Sequence, residues 1–166
     1  MATMEDAMEA FAGESQANRK YMIFADQAVA EGFPHIARLF RAASEAEAIH
    51  AKKLMKAMGK VESTEKNLEG AVAGETHEFK NMYPGFLKDA EAEKKSDMAL
   101  VFTYAMKAEE IHANHYKDAL KALKAGQDMS NRTVYLCPAC GAIFLEPAPE
   151  KCPVCSAVRK IFRVIE

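Results

Sequence analysis

The sequence predicts a mainly α fold: a bundle of four helices followed by a small β/knuckle module at the C-terminus. Three observations predict it. Residues 1 to 125 are rich in Ala, Glu, Lys, Met and Leu, sparse in Gly and Pro, and carry apolar residues at helical spacing. After Gly126-Gln-Asp-Met-Ser-Asn131 the chain turns β-branched and Pro-rich. The helical part is also written twice. Ala12-Gly13-Glu14-Ser15 returns as Ala73-Gly74-Glu75-Thr76, offset by 61 residues, and Ala46-Glu47-Ala48-Ile49-His50-Ala51 returns as Ala108-Glu109-Glu110-Ile111-His112-Ala113, offset by 62.

The first helix is expected over Met4 to Glu31 and is broken by Gly32-Phe33-Pro34. Pro34 suits the first position of the second helix, which runs to Met58, with Gly59 as its stop. Lys60 to Lys66 is polar and unpatterned. Being the longest link, it reads as the crossover joining two hairpins of a ferritin-like bundle. The third helix is expected over Asn67 to Glu91, with a kink at Pro84, and the fourth over Ser96 to Ala125. The other two links are short, so each pair of helices should be antiparallel. Val134-Tyr135-Leu136 and Ile161 to Ile165 read as short strands beside cysteine loops. The expected domains are therefore 1–130, the bundle, and 131–166, the cysteine module.

The length of 166 residues suits one medium domain with an appendage, and 49% apolar residues suffice for a core. A net charge of -2 argues against a nucleic-acid surface. Glu and Lys stud every long helical stretch, so no membrane span is expected. The start, Met1-Ala-Thr-Met-Glu-Asp6, lacks the basic and apolar regions of a signal peptide. A cytoplasmic, reducing location is the expectation.

The repeat keeps its chemistry in phase. Each half has a lone Glu, Glu14 or Glu75, and then Glu-x-x-His, Glu47/His50 or Glu109/His112. Residues three apart on a helix share a face, so each Glu-x-x-His aims a carboxylate and an imidazole at one point. One Glu from each of two helices, with Glu-x-x-His from the other two, is the ligand pattern of di-iron and di-manganese bundles. Four facing carboxylates would repel in a dry interior, and two divalent cations balance them. Oxygen and imidazole donors without thiolate suit iron or manganese. Glu78, three residues after Glu75, matches Ala17 in the first half and is a candidate seventh ligand. His35, His77 and His115 are not expected to bind metal. Tyr21 follows Glu14 by seven residues and Tyr83 follows Glu75 by eight, so both can face the site.

Cys137-Pro-Ala-Cys140 and Cys152-Pro-Val-Cys155 form a paired C-x-x-C signature for a tetrathiolate metal site. The spacing leaves the ion open: zinc would make a structural ribbon, iron a one-electron carrier. An oxidative metal pair in the same chain favours iron, because such a site needs electrons delivered to it.

With both sites in view, the chain resembles the rubrerythrin family. The resemblance rests on Gly13-Glu14-Ser15-Gln16-Ala17, Glu47-x-x-His50, Gly74-Glu75-x-x-Glu78 leading into Met82-Tyr83-Pro84, Glu109-x-x-His112, and a rubredoxin-like tail with Cys137, Cys140, Cys152 and Cys155. It implies a non-haem di-iron peroxidase that reduces hydrogen peroxide to water in oxidative-stress defence. Two Fe would occupy the bundle and one Fe the FeS4 site, where Zn is the alternative. Glu14, Glu47, Glu75, Glu109 and His112 would hold the iron pair, His50 and Glu78 would exchange on one iron with redox state, and Tyr21 and Tyr83 would hydrogen-bond nearby. It further implies an electron donor such as rubredoxin or an NAD(P)H-dependent reductase. A homodimer or higher homo-oligomer is implied, with each FeS4 centre near the partner's di-iron site. Two departures stand out: Ser156 where the second knuckle usually has Gly, and Ala142 in place of a common aromatic.

Two other functions compete with peroxide reduction. One is iron handling with Fe(II) oxidation, the tail being structural; the other is a zinc-ribbon adaptor whose bundle binds partners. The two-fold ligand set argues against the adaptor. The tail argues against storage, which needs no dedicated electron carrier.

Overall fold

The computed structural model describes residues 2–166, so Met1 of the N-terminal stretch lies outside the described residues. The chain has the expected mainly α class, with a three-stranded sheet and a cysteine knuckle at the end. It divides into two compact units, Met1–Glu62 and Ser63–Glu166.

The first unit is a hairpin of α1 (Ala2–Ala30) and α2 (Pro34–Ala57). Its interior is made of small residues: Ala25, Ala28, Ala37 and Ser44 are the buried ones. Asn18 and Ser44 lock the helices together. The Ser44 hydroxyl donates to the Asn18 carbonyl (2.9 Å), and the Asn18 amide donates to the Ser44 carbonyl (2.8 Å) and hydroxyl (2.9 Å). Buried Ser44 and half-buried Asn18 thereby satisfy each other's polar groups.

The second unit opens with α3 (Thr64–His77). The helix starts three residues earlier than the sequence pattern indicates because Ser63 caps it, its hydroxyl accepting from the Lys66 N–H at 3.3 Å. The single third helix expected from the sequence is interrupted. A π segment, Glu78–Met82, separates α3 from α4 (Tyr83–Ala92), which packs with α3 against α5 (Ser96–Lys124). The expected kink at Pro84 is thus replaced by a π turn just upstream. Pro84 has no N–H to donate, and its ring presses on the carbonyl four residues back, that of Lys80. The wider turn, in which Tyr83 N–H reaches Glu78 O, absorbs the misfit.

A π turn is one residue inserted into an α-helix, and the repeat contains that residue. The offset between halves rises from 61 to 62 between Glu75 and Tyr83, where the π segment lies. Beyond it the halves match again in packing. Tyr21, Phe24 and Phe40 cluster in the first unit with ring centroids 5.6 to 6.3 Å apart. Tyr83, Phe86 and Phe102, each 62 residues later, cluster in the second at 5.6 to 6.2 Å.

The tail forms an antiparallel sheet in the order β2-β1-β3, from β1 (Val134–Leu136), β2 (Ile143–Leu145) and β3 (Arg163–Ile165). The register pairs Tyr135 with Phe144 and with Val164. Ala108 of α5 is buried in one cluster with Cys137, Ala142, Phe144, Ala148 and Cys152, so the cysteine module packs on α5 of its own chain. The change from helix to strand falls between Lys124 and Val134, inside the second unit. Among the described residues no helix is long and apolar enough to cross a membrane.

Candidate metal centres

The structure brings the predicted ligands together in three groups. Each group offers ligand atoms within 4.8 Å of one another: Glu14, Glu47 and His50; Glu75, Glu109 and His112; and the four cysteines.

In the first unit His50 Nδ1 lies 2.9 Å from Glu47 Oε2 and 3.7 Å from Glu14 Oε1. Glu14 and Glu47 share a hydrogen bond, which raises the Glu14 carboxyl above its ordinary value and lowers that of Glu47. Two hydrogen-bonded carboxylates share a proton in the absence of a cation.

The second unit repeats the arrangement in a more enclosed setting. His112 Nδ1 lies 2.7 Å from Glu109 Oε2 and 3.9 Å from Glu75 Oε2. Burial and the adjacent Glu109 push Glu75 up to about 7. The His112 hydrogen bond holds Glu109 below the usual range, against its own burial. Burial pulls the His112 imidazole down, but Glu109, the Gly141 carbonyl and the charge of Glu75 outweigh it, and the net direction is up. Glu75 Oε2 is buried without a hydrogen-bond partner.

His112 Nε2 lies 3.0 Å from the Gly141 carbonyl. A carbonyl only accepts, so Nε2 carries the proton, and in the neutral ring the Nδ1 lone pair then points at the two carboxylates. Lone pair against anion is unfavourable unless a proton, as in the imidazolium that Glu109 favours, or a metal cation lies between them. Metal-binding histidines commonly donate their second N–H to a backbone carbonyl in this way. The orphaned Glu75 oxygen, the crowded carboxylates and the tautomer of His112 all fit a metal ion.

Glu78 stands outside this group of three but inside its field. Burial and the Glu109 charge raise it, while His77 and His112 oppose them. Tyr83 is raised by burial and by Glu109, Glu78 and Glu75, so its phenol stays protonated beside the carboxylates. Tyr21 lies in the aromatic cluster of the first unit. His35 pairs with Arg38.

At the third group Cys137 Sγ lies 3.6 Å from Cys155 Sγ, and Cys140 Sγ lies 3.5 Å from Cys152 Sγ. The four are free thiols, with Cys137 and Cys152 buried. A tetrahedron of sulfurs about 2.3 Å from a metal has edges of about 3.8 Å, so the thiols already stand close to tetrathiolate spacing. Burial raises Cys140 and Cys155. It opposes ionisation at Cys137 too, but the N–H groups of Ala139 and Cys140 prevail and lower it. Gly141, at φ 83°, and Ser156, at φ 64°, occupy equivalent left-handed positions after the two knuckles. Their N–H groups donate to the Cys137 and Cys152 carbonyls at 2.9 Å.

Sequence reasoning missed the backbone carbonyls of Gly141 and Ile143. These receive His112 and His115 at 3.0 Å each and tie α5 to the first knuckle. His115, which reads as a surface or supporting residue in the sequence, is thus a tether to the cysteine module. No side-chain motif marks a carbonyl, so nothing in the sequence signals either contact. Where the resemblance sets the cysteine centre beside the partner's site, this chain sets its first knuckle against its own His112.

The rubrerythrin family model matches residues 8–120. Rubrerythrin-2 of Clostridium acetobutylicum is 34% identical, over 97% of this chain and 95% of its own length. Rubrerythrin of Nitratidesulfovibrio vulgaris is 33% identical, over 98% of this chain and 94% of its own. The structure of fully reduced, all-ferrous nigerythrin aligns over 98% of this chain and 86% of that one, with a TM-score of 0.60 and 33% identity. The family binds a di-iron pair in its bundle, and the Glu and His groups described above fit it. Matched through both helical hairpins by the family model, and almost end to end by relatives above 30% identity, the chain belongs to the rubrerythrin family.

Proposed function

We propose that this protein is a non-haem di-iron peroxidase that reduces hydrogen peroxide to water, with electrons arriving through the cysteine centre. Family membership makes it a di-iron oxidoreductase of the oxidative-stress-defence type; the substrate and the electron route are our reading. The reaction takes one hydrogen peroxide, two electrons and two protons to two waters, the O–O bond being the one that breaks. The bound iron pair supplies the two electrons that this bond accepts.

The chain's own residues do the rest. Glu14, Glu47, Glu75, Glu109 and His112 would hold the pair, and His50 and Glu78 would alternate as ligands when its charge changes. Tyr83, kept protonated, offers an O–H next to those carboxylates, and Tyr21, in the matching aromatic cluster of the first unit, would be its counterpart. Residues 1–130 act as the bundle module, and residues 131–166 as the electron-transfer module with iron at Cys137, Cys140, Cys152 and Cys155. The donor would be rubredoxin or an NAD(P)H-dependent reductase, in the cytoplasm, and the protein would work as a homodimer or larger assembly.

The observation that carries this reading is the His112–Gly141 hydrogen bond. Gly141 directly follows Cys140, so one peptide and one hydrogen bond connect a thiolate of the cysteine centre to an imidazole of the helical site. A bond that only orients a metal-binding histidine can use any carbonyl; here the acceptor belongs to the cysteine knuckle, which supports the electron-transfer reading over a purely structural tail. The test is an absorption spectrum of the purified protein. Iron–thiolate bands should bleach with reductant and return on adding peroxide, which is consumed without oxygen evolution. A colourless, zinc-filled tail, with Fe(II) oxidised by dioxygen and peroxide left unconsumed, would replace this reading with the iron-handling one.

A further inference from the structure

We propose that the second cysteine knuckle and the edge strand beside it form the docking surface for an acidic one-electron carrier protein, held by exposed basic and apolar side chains of residues 151–165. The inference rests on the electron-transfer reading above and deepens it by assigning the face at which electrons enter the chain.

The two knuckles are used differently. The first is tied to α5: the carbonyls of Gly141 and Ile143 receive His112 and His115. The second is held by the module's own backbone. Ser156 N–H donates to Cys152 O, Cys152 N–H to Ala157 O and Arg159 N–H to Glu150 O, at 2.8 to 2.9 Å, and Lys151 bridges Val158. Cys155 is partly exposed there and Ser156 fully so. A one-electron relay needs an exit and an entry. The first knuckle leads to His112, and the second is left for the donor.

The surface around the second knuckle is built for contact. Val158, Ile161, Val164 and Ile165 are 44% to 56% exposed, a run of branched apolar side chains on one short stretch. It ends in β3, an edge strand of the sheet, whose three residues are all exposed. Among them stand Lys151, Lys160 and Arg163, also exposed. None of these three is ion-paired among the described residues, whereas Arg159 is held by Glu150 at 3.5 Å. Residues 147–166 carry four basic and two acidic side chains in a chain whose net charge is -2, so positive charge gathers here.

Charge and size choose the occupant. Unpaired cations around an apolar centre attract an anionic partner and orient it on approach. A stable interface takes about 20–30 residues a side, and electron-transfer encounters sit at the small end of the range. Seven side chains beside a tetrathiolate centre fit the second kind of contact, with a carrier whose own surface is acidic.

Stopped-flow mixing of the oxidised, iron-loaded, full-length protein with flavodoxin hydroquinone, an acidic one-electron donor, tests this. The flavin loses one electron and becomes a semiquinone, and the ferric thiolate iron gains it, so fading of the iron–thiolate bands gives the rate. The parental rate should fall as salt is added. A variant with Lys151→Glu, Lys160→Glu and Arg163→Glu should react about tenfold more slowly at low salt, and salt should now speed it. Its spectrum, and full bleaching by excess dithionite, should match the parent and show an intact centre. If that variant loads no iron, Lys160→Gln with Arg163→Gln should still lower the rate and flatten its salt dependence. A parental rate indifferent to salt, or variants with the parental rate and salt trend, overturns the proposal. Variants that keep that rate but change oligomeric state in sedimentation also overturn it, and give the patch to a contact between copies. A parent whose tail holds zinc and never bleaches refutes the electron-transfer reading itself, which separates the two failures.

Discussion

At the residue scale, two side chains sit where the backbone favours glycine. Gly32 closes α1 at φ 84°, with Phe33 N–H on Ala28 O and its own N–H on Val29 O. Its repeat partner 62 residues on is Lys94, at φ 57°, closing α4 by the same two bonds to Ala90 and Glu91. Ser156 stands likewise against Gly141. A left-handed conformation costs a residue with a Cβ about 1 kcal/mol. Lys94→Gly should therefore raise stability by about that amount in denaturant melts, and Ser156→Gly should slow metal loss from the cysteine centre to a chelator. The carboxylates give a pH prediction. Glu75, raised to about 7, is protonated below that pH in the metal-free protein. Its raised value favours the folded state most below its ordinary value of 4.5, and that contribution is lost as pH rises towards 7. Metal must displace the proton, so affinity for Fe(II) or Mn(II) should rise with pH up to about 7 and then level off. Calorimetric titrations at several pH values would show this, and Glu75→Gln should flatten the slope.

At the element scale, the π segment is the point where the two halves differ. Removing Lys80 should convert it to α-helix and restore the seven-residue spacing that separates Glu14 from Tyr21. The hairpin, its aromatic cluster and metal loading should survive, with helical circular dichroism unchanged, because the first half folds with that spacing already. Glu78 begins the π turn and should lose its placement, so peroxide turnover should fall. Unchanged turnover in the deletion variant would detach the π turn from the site. The insertion is legible in the sequence as an offset that grows from 61 to 62. Its conformation is not, because an extra helical residue can be absorbed by a loop, a kink or a π turn. Here Pro84 disfavours the regular helix, and packing of α3 and α4 on the same α5 keeps both in one line. Helix ends were legible to within a few residues wherever Gly or Pro marks them, and Ser63 moved the start of α3.

At the scale of the whole molecule, the cysteine module and α5 share a buried cluster that includes Cys152 and Ala108. Cys152→Ser should empty the tail of metal and loosen the knuckle at Gly141 while the hairpins stay helical. Bundle iron should remain and reoxidise once with peroxide, but steady turnover with an external reductant should collapse. Turnover at the parental rate would show that electrons enter elsewhere.

The sequence by itself determined the helical class, the repeat, the cysteine signature and the identity of the candidate ligands. These follow from local periodicity and from residue types whose chemistry depends little on context. Glu47/His50 and Glu109/His112 meet because three residues along a helix always lie on one face. Only the tertiary structure decided what touches what across the chain. It set His112 and His115 on the carbonyls of Gly141 and Ile143, and enclosed Glu75 more tightly than its repeat partner Glu14. Backbone carbonyls carry no sequence signature, and burial depends on what packs over a residue. Both are therefore fixed when the elements come together, and neither is set by the residue's own neighbours in the chain.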